Sequence, residues 1–459
     1  MALLSFLRAV ALGWAVAELS APSANGWSRA ANAAIGVPLG LGLTSFLYFV
    51  LLWLGARSMG VFAGLETAAL LAAGWVLWKR PATTSVPPVN RFRYWWILAI
   101  AAACAALMGI AAVAAASEMT PHGDWDAWAI WNVRAKFLAG PGDAWRYSVS
   151  PALTKTHPDY PLLVSGAVAR VWRLGGGGGP EAAATLALAW FASVPAILAA
   201  GIGSLRSVSA GLLAVLVLMA TPSYLAQGPS QYADIPLSAC LLGAALCAMR
   251  RQPALCGMLC ACAAWTKNEG LVFALALLAA CAWFQGVRAS APAWAAAAPG
   301  LAVVAAFKLL LAPGSEYAGR TPDFSRLPTV LAAFGRELGN LSLGDWLTHP
   351  FLLMAALAWG LRFAKDGPWL AGWKAVAAAL GAQCAAYGTV YLMTPSDVEW
   401  QVGTSMERLV AQVWPAAVAL FATRLNVPDD TVAASAPPAS ATVERSGGKS
   451  RRRRAQASS

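Results

Sequence analysis

Charge is what this 459-residue chain has least of: Asp, Glu, Lys and Arg make up 12% of it, against 59% hydrophobic residues. A soluble chain of this length could not hide so much apolar surface, which excludes a water-soluble enzyme or binding module and requires repeated membrane crossings. Cysteine is sparse where it would matter. All eight residues (Cys104, Cys240, Cys247, Cys256, Cys260, Cys262, Cys281 and Cys384) lie inside apolar runs, which excludes a disulfide frame. Cys256, Cys260 and Cys262 are close together but have no histidine beside them, so they read as small packing residues and not as a metal site. Histidine is scarcer still, with only His122, His157 and His349. No internal repeat is detectable. The net charge of +12 is spread over short loops and a tail, not gathered on a soluble domain, and so gives no reason to expect nucleic acid as a partner.

What is abundant is long apolar sequence. Runs able to span a bilayer cover 35–54, 61–78, 95–116, 182–205, 210–225, 235–248, 254–265, 271–284, 294–311, 346–361, 371–392 and 409–421. Several fall below the roughly 20 residues of a full span, which implies tilted or broken helices. Residues 1–17 are apolar but contain Arg8, consistent with an uncleaved first span or a helix lying in the interface. The expected fold is therefore an all-α polytopic bundle of about twelve or thirteen transmembrane helices.

Basic residues such as Lys79, Arg80, Arg206, Arg250, Arg288 and Lys365 fall on alternate span ends, together with the Arg451–Arg454 run of the tail. By the positive-inside rule those ends are cytoplasmic. Most acids and all three histidines fall on the other face, in or near outer loops expected at 118–181, 313–345 and 394–408. Segment 160–174 is too short to cross and carries Arg170 and Arg173, so it reads as an amphipathic helix on the membrane surface. Residues 1–93 form an N-terminal membrane region with a cytoplasmic connector, 94–425 the main domain, and 426–459 a disordered basic cytoplasmic tail suited to anionic lipid.

The first outer loop opens with His122-Gly-Asp124-Trp-Asp126-Ala-Trp128-Ala-Ile-Trp131-Asn-Val-Arg134-Ala-Lys136, directly after a span. Paired acids, tryptophans and bases crowded at a membrane exit suit a charged, ring-shaped substrate; the plainer reading is an aromatic belt ending a helix. Further along come His157-Pro158-Asp159-Tyr160-Pro161, Tyr232-Ala-Asp234-Ile-Pro236, Thr266-Lys267-Asn268-Glu269-Gly270 and Ser405-Met-Glu-Arg408. Lys267 and Glu269 interrupt two short apolar runs, as a broken helix lining a cavity does, or else neutralise each other at a hairpin tip. Asp234 is also placed to cap a helix, Arg408 to snorkel toward water, and His157 to serve only as a loop residue.

In order and sidedness these motifs resemble the GT-C class of membrane glycosyltransferases over about 94–423, most closely the protein O-mannosyltransferase-like and aminoarabinose-transferase-like enzymes. Two departures stand out: the second acid, Asp124, precedes Asp126 instead of following it, and Asp159 stands where a proline is usual. The resemblance implies a GT-C-like bundle with interfacial helices in its first outer loop. It implies transfer of a sugar from a polyprenyl-phosphate donor to a lipid, glycan or protein acceptor on the outer face of a bacterial-type inner membrane. It places His157 at the donor phosphate, where Lys267 and Arg408 are further candidates.

Residue chemistry fills in the rest. Breaking the bond from the anomeric carbon to the phosphate needs cationic groups on the leaving oxygen, and the attacking acceptor needs a carboxylate to take its proton. Asp126 is the expected base, with Asp124 beside it. Asp234, Asp159, Glu269 and Lys136 are expected to orient substrate, and Trp128 and Trp131 to stack on sugar or isoprenoid. One base in direct displacement implies inversion. Asp124 and Asp126 form a D-x-D pattern able to hold a divalent cation, although the resembling families mostly need no metal, so no cofactor is expected to be required. A flippase for a lipid-linked saccharide would also have many spans and charged cavity residues, but predicts inverted repeats and mid-span acids. A polysaccharide polymerase or ligase with a diphosphate-linked donor fits much of the same sequence.

Overall fold

The computed structural model describes residues 2–23, 26–80, 93–317, 319–339 and 349–429. The expected tail with Arg451–Arg454, most of the 81–94 connector and the segment around Asp345 lie outside the described residues. The fold is all-α: among the described residues the one β pairing is an isolated bridge between Phe363 and Leu425.

Four helices begin the chain: α1 (Ala2–Ser20), α2 (Gly26–Trp53), α3 (Met59–Lys79) and α4 (Trp95–Met119). The first outer loop contains α5 (Asn132–Ala139) and α6 (Leu163–Gly175). Then follow α7 (Glu181–Leu205), α8 (Val208–Met219), the short α9 (Pro222–Ala226), α10 (Asp234–Met249), α11 (Pro253–Thr266), α12 (Asn268–Gln285) and α13 (Val287–Leu310). The chain closes with α14 (Leu327–Gly339), α15 (Pro350–Leu361), α16 (Leu370–Met393) and α17 (Val398–Arg424). Among the described residues, eight helices (α1–α4, α7, α12, α13 and α16) are long and apolar enough to cross a membrane. The protein is a multi-pass membrane protein. Helices α8, α10, α11 and α15 are apolar but shorter.

The shorter helices matter for the site. With 16 and 14 residues, α10 and α11 are ~24 and ~21 Å long, less than the ~30 Å of a hydrocarbon core. Every residue of α10 is buried. Neither is long enough to cross such a core unaided, and both are wrapped in neighbouring helices. Between α11 and α12 the helix is broken at Lys267, whose backbone is extended (φ −149°, ψ 164°). Close contact of the two halves depends on Gly270, because any side chain there would run into the carbonyl oxygen of Ala263 on α11.

Two expectations are corrected. Segment 160–174 becomes helix α6, but its residues Leu163–Trp172 are all buried, so it is not a helix exposed on the surface. The reason is non-local: Arg170 is fully buried and pairs with Glu66 of α3, which Arg8 of α1 also reaches at 3.2 Å. The cation that looked like part of a polar face is neutralised inside. The second correction concerns 394–408. Residues from Val398 onward are the start of α17, capped by Asp397, whose side chain accepts from the backbone N–H of Trp400 at 2.9 Å. The loop shrinks to 394–397, and Arg408 stands within a helix.

The N-terminal helices, which the resemblance leaves without a role, support the site from beneath. Ser45 of α2 donates to the carbonyls of Leu162 and Leu163 and accepts from the indole of Trp265 at 3.2 Å. Phe46 stacks on Trp265, and Phe49 packs against Trp265 and Phe307. The floor under the broken helix is thus aromatic and rigid.

Candidate functional site: a chain of buried ion pairs

Asp234 is at the centre. It opens α10 and is fully buried. It does not cap that helix. Its carboxylate instead accepts from Lys267 Nζ at 2.9 Å, from Arg408 Nε at 3.1 Å and from the amide of Gln412. Lys267 also pairs with Glu269 at 3.3 Å, and Arg408 Nη2 pairs with Asp126 at 2.7 Å. An unbroken line of opposite charges runs Asp126, Arg408, Asp234, Lys267, Glu269, drawn from four separate parts of the chain. The hairpin-tip pairing of Lys267 with Glu269 therefore exists, but as one link of a longer network. Arg408 does not snorkel: its guanidinium lies over the Tyr232 ring at 4.3 Å between two carboxylates.

The loops carrying these groups are tied together. Gly123 has φ +69° and lies so close to the carbonyl of Ser230 that a side chain there would collide with it. Asp124 N–H donates to that same carbonyl at 3.1 Å, and Asp126 N–H reaches the Tyr232 hydroxyl at 3.4 Å. Gln231 donates to the Pro121 carbonyl and accepts from Asn132. The 120–126 turn is in this way fixed against the loop that leads into Asp234. Tyr232 is about half buried; that burial and the nearby Asp126 carboxylate raise its hydroxyl above the ordinary phenol range, with Arg408 opposing. It stays protonated at neutral pH.

Tyr160 bridges to the histidine. Its ring stacks on His157 at 5.0 Å and on Trp131 at 5.8 Å, and Lys267 Nζ lies 5.8 Å from its centre. His157 thus joins the edge of the site through Tyr160. Burial, with Glu269 and Asp159 adding to it, holds the Tyr160 hydroxyl well above its usual range. Arg134 locks this loop from inside: fully buried, it donates to the carbonyls of Ser148, His157, Pro158 and Tyr160.

A second, smaller cluster adjoins the first. Asp159 accepts from the Asn268 amide at 2.8 Å, and Lys308 of α13 donates to the Asp159 carbonyl and to the Asn268 side-chain oxygen. Asp159 therefore ties the loop to the break between α11 and α12. Glu269 has one carboxylate oxygen on Lys267 and the other buried without a hydrogen-bond partner.

The remaining expected residues are distributed unevenly. Asp124 is exposed at the mouth beside Tyr232. Trp128 is exposed and meets Trp125 edge to face. Trp131 is fully buried and packs as core under Tyr160, so it offers no stacking face to a ligand at the surface. Lys136 is exposed on α5 and makes none of the contacts that join the cluster. Of the Asp124 and Asp126 pair, Asp126 is engaged by the Arg408 guanidinium and Asp124 is exposed. Among the described residues no group of three or more His, Cys, Asp or Glu side chains is arranged to hold a metal ion.

Gln412 and Lys308 were not among the residues expected from the sequence. Gln412 holds Asp234 from one turn beyond Arg408 and accepts from the Tyr387 hydroxyl at 2.6 Å. Its i, i+4 spacing from Arg408 could have marked it as facing the same way. Lys308, in the last turn of an apolar run, looks like an ordinary anchoring lysine. No family model, no curated protein and no solved structure matches this chain.

Proposed function

We propose that this protein is an integral membrane glycosyltransferase of GT-C type that moves a sugar from a polyprenyl-phosphate donor to a lipid, glycan or protein acceptor. The observation that carries the reading is the line of paired charges from Asp126 to Glu269, buried at Asp234 and Lys267 and partly exposed at Asp126, Arg408 and Glu269. Buried charges within a membrane domain are costly, and such groups ordinarily serve a substrate or ion path.

In this reading the isoprenoid tail stays in lipid and the donor phosphate meets Arg408, Lys267 and His157. The acceptor hydroxyl or amine gives its proton to Asp126 as its heteroatom bonds to the anomeric carbon. The bond from that carbon to the phosphate oxygen breaks with its electron pair going to the phosphate, and the cations stabilise the charge that develops. Attack opposite the leaving group inverts the anomeric centre. Asp234 sets the two cations, and Glu269 and Asp159 orient the sugar and the loop. The membrane is a bacterial-type inner membrane with the site toward the periplasm.

The test is incubation of the purified protein with radiolabelled polyprenyl-phosphate sugars and membrane lipid or peptide acceptors. Label in an acceptor, with release of free polyprenyl phosphate, supports the reading. Movement of the intact lipid-linked sugar across vesicles without that release would make the protein a flippase. Sidedness is tested separately. Ala152 and Lys365 are both exposed, at opposite ends of the bundle. An impermeant thiol reagent applied to intact cells is expected to label Ala152→Cys and spare Lys365→Cys; the reverse pattern would put the site on the wrong side for this donor.

A further inference from the structure

Resting on that reading, we infer that Arg408 is a positioning residue that keeps Asp126 occupied until the donor phosphate arrives, so that donor binding releases the base. The chain Asp126, Arg408, Asp234, Lys267, Glu269 contains three carboxylates and two cations. Within it each cation already pairs with two carboxylates, and three carboxylates stand against two cations. A phosphate therefore competes with a carboxylate for its cation. The geometry points to which one.

Arg408 is held at three points. Its Nε is on Asp234 at 3.1 Å, its guanidinium face is on Tyr232 at 4.3 Å, and its Nη2 is on Asp126 at 2.7 Å. Asp234 is fully buried and is itself clamped by Lys267 and Gln412, so the first contact is fixed. Asp126 is partly exposed, so the contact it makes is the one a ligand can reach. Exchanging only the outer contact lets the guanidinium stay stacked on Tyr232 and anchored at Nε while Nη2 turns to phosphate. Guanidinium binds phosphate as well as carboxylate, so the exchange replaces one charge-assisted pair by another. Lys267 cannot trade as easily: its own side chain is buried, whereas that of Arg408 is partly exposed.

Asp126 then loses its guanidinium at the moment the donor is in place, and its carboxylate oxygen becomes available to an acceptor proton. Donor binds before acceptor, and the base is not presented to water or acceptor in an empty site. No bond is made or broken in this exchange; one ion pair is replaced by another. Asp124 is the internal control, since it is a neighbouring carboxylate that makes no ion pair with Arg408.

The experiment measures binding of a short-chain polyprenyl monophosphate to the purified full chain in nanodiscs. Asp126→Asn is expected to bind it about tenfold more tightly than wild type, within the usual range for coupled sites, and Asp124→Asn to change affinity about twofold at most, as a solvent-exposed charge would. Equal tightening by both variants would reduce the effect to overall charge and overturn the latch, as would no tightening by Asp126→Asn. Arg408→Lys keeps the charge but loses the fork that contacts both carboxylates. In that background, adding Asp126→Asn is expected to leave affinity unchanged; a persistent tenfold gain there would show that Arg408 is not the latch. The donor reading is checked in the same assay: if wild type fails to bind the lipid phosphate, or both His157→Ala and Lys267→Ala bind it as well as wild type, the donor assignment falls whatever Asp126 does.

Discussion

Asp126→Asn is expected to lower turnover about 10²- to 10⁴-fold, the usual contribution of a general base, without weakening donor binding. The base acts on the acceptor's proton in the transition state, whereas the donor phosphate is held by cations in the ground state as well. The side chain is isosteric, and its backbone N–H contact with Tyr232 does not depend on the carboxylate. Loss of activity would therefore not reflect a collapsed loop, and circular dichroism and thermal unfolding should match wild type closely. Single-turnover rates with saturating labelled donor and acceptor give the measurement. If Asp126→Asn turned over at near-normal rate while Asp124→Asn was inactive, the role of base would pass to Asp124, whose exposed carboxylate lies at the mouth.

The same carboxylate illustrates how a membrane site differs from a soluble one. In water, an aspartate on an arginine at a surface contributes little. Here Asp126 stands at the outer end of a line whose inner members are buried, so its partner is fixed by Asp234 and not by its own pairing. That arrangement sets a partly exposed outer contact on a buried inner one.

How far the sequence carries depends on the range of the interaction. The helices were legible because a span is a local property: runs such as 95–116 and 371–392 lie inside α4 and α16 with little change of boundary. The break at Lys267 was legible for the same reason, since charged residues between two short apolar runs have few alternatives in a membrane. Asp126, Asp234, Lys267, Glu269 and Arg408 could each be marked as candidates, and they do come together. Their pairing could not be read, because each ion pair except that of Lys267 with Glu269 joins distant segments. Helix α17 was cut short for a related reason: Asp397, Glu399, Glu407 and Arg408 look like loop composition, yet Asp397 caps α17 and the helix continues through the other three, with Arg408 paired to Asp234. Arg170 misled in the same way, since its partner Glu66 is 104 positions away. Trp131 and Lys136 were marked by residue type and by their place in the resembling pattern, and neither says whether a side chain turns into the core or out to solvent.

Asp234→Ala is expected to produce the largest structural loss of any single change in the site, about 3–5 kcal/mol, the cost of removing one partner from a buried charged group. Two cations depend on that carboxylate: the buried Lys267 is left with Glu269 alone, and the partly exposed Arg408 with Asp126 alone. Gln412 loses its acceptor and Tyr387 keeps only its contact to Gln412. Turnover is expected to fall by about 10²-fold or more in the fraction that remains folded, because small displacements of positioning groups have effects of that size. The two losses can be separated by adding Lys267→Met. The double variant removes one of the stranded cations, so its unfolding midpoint in detergent is expected to rise part of the way back toward wild type. Its turnover is expected to stay low or fall further, because a cation for the leaving phosphate has gone as well. Wild-type stability in Asp234→Ala would mean that water or a lipid headgroup already satisfies Lys267 and Arg408, and the central place given to this carboxylate would be wrong. Recovery of both stability and turnover in the double variant would show that Lys267 serves only to balance Asp234, leaving Arg408 and His157 to meet the phosphate.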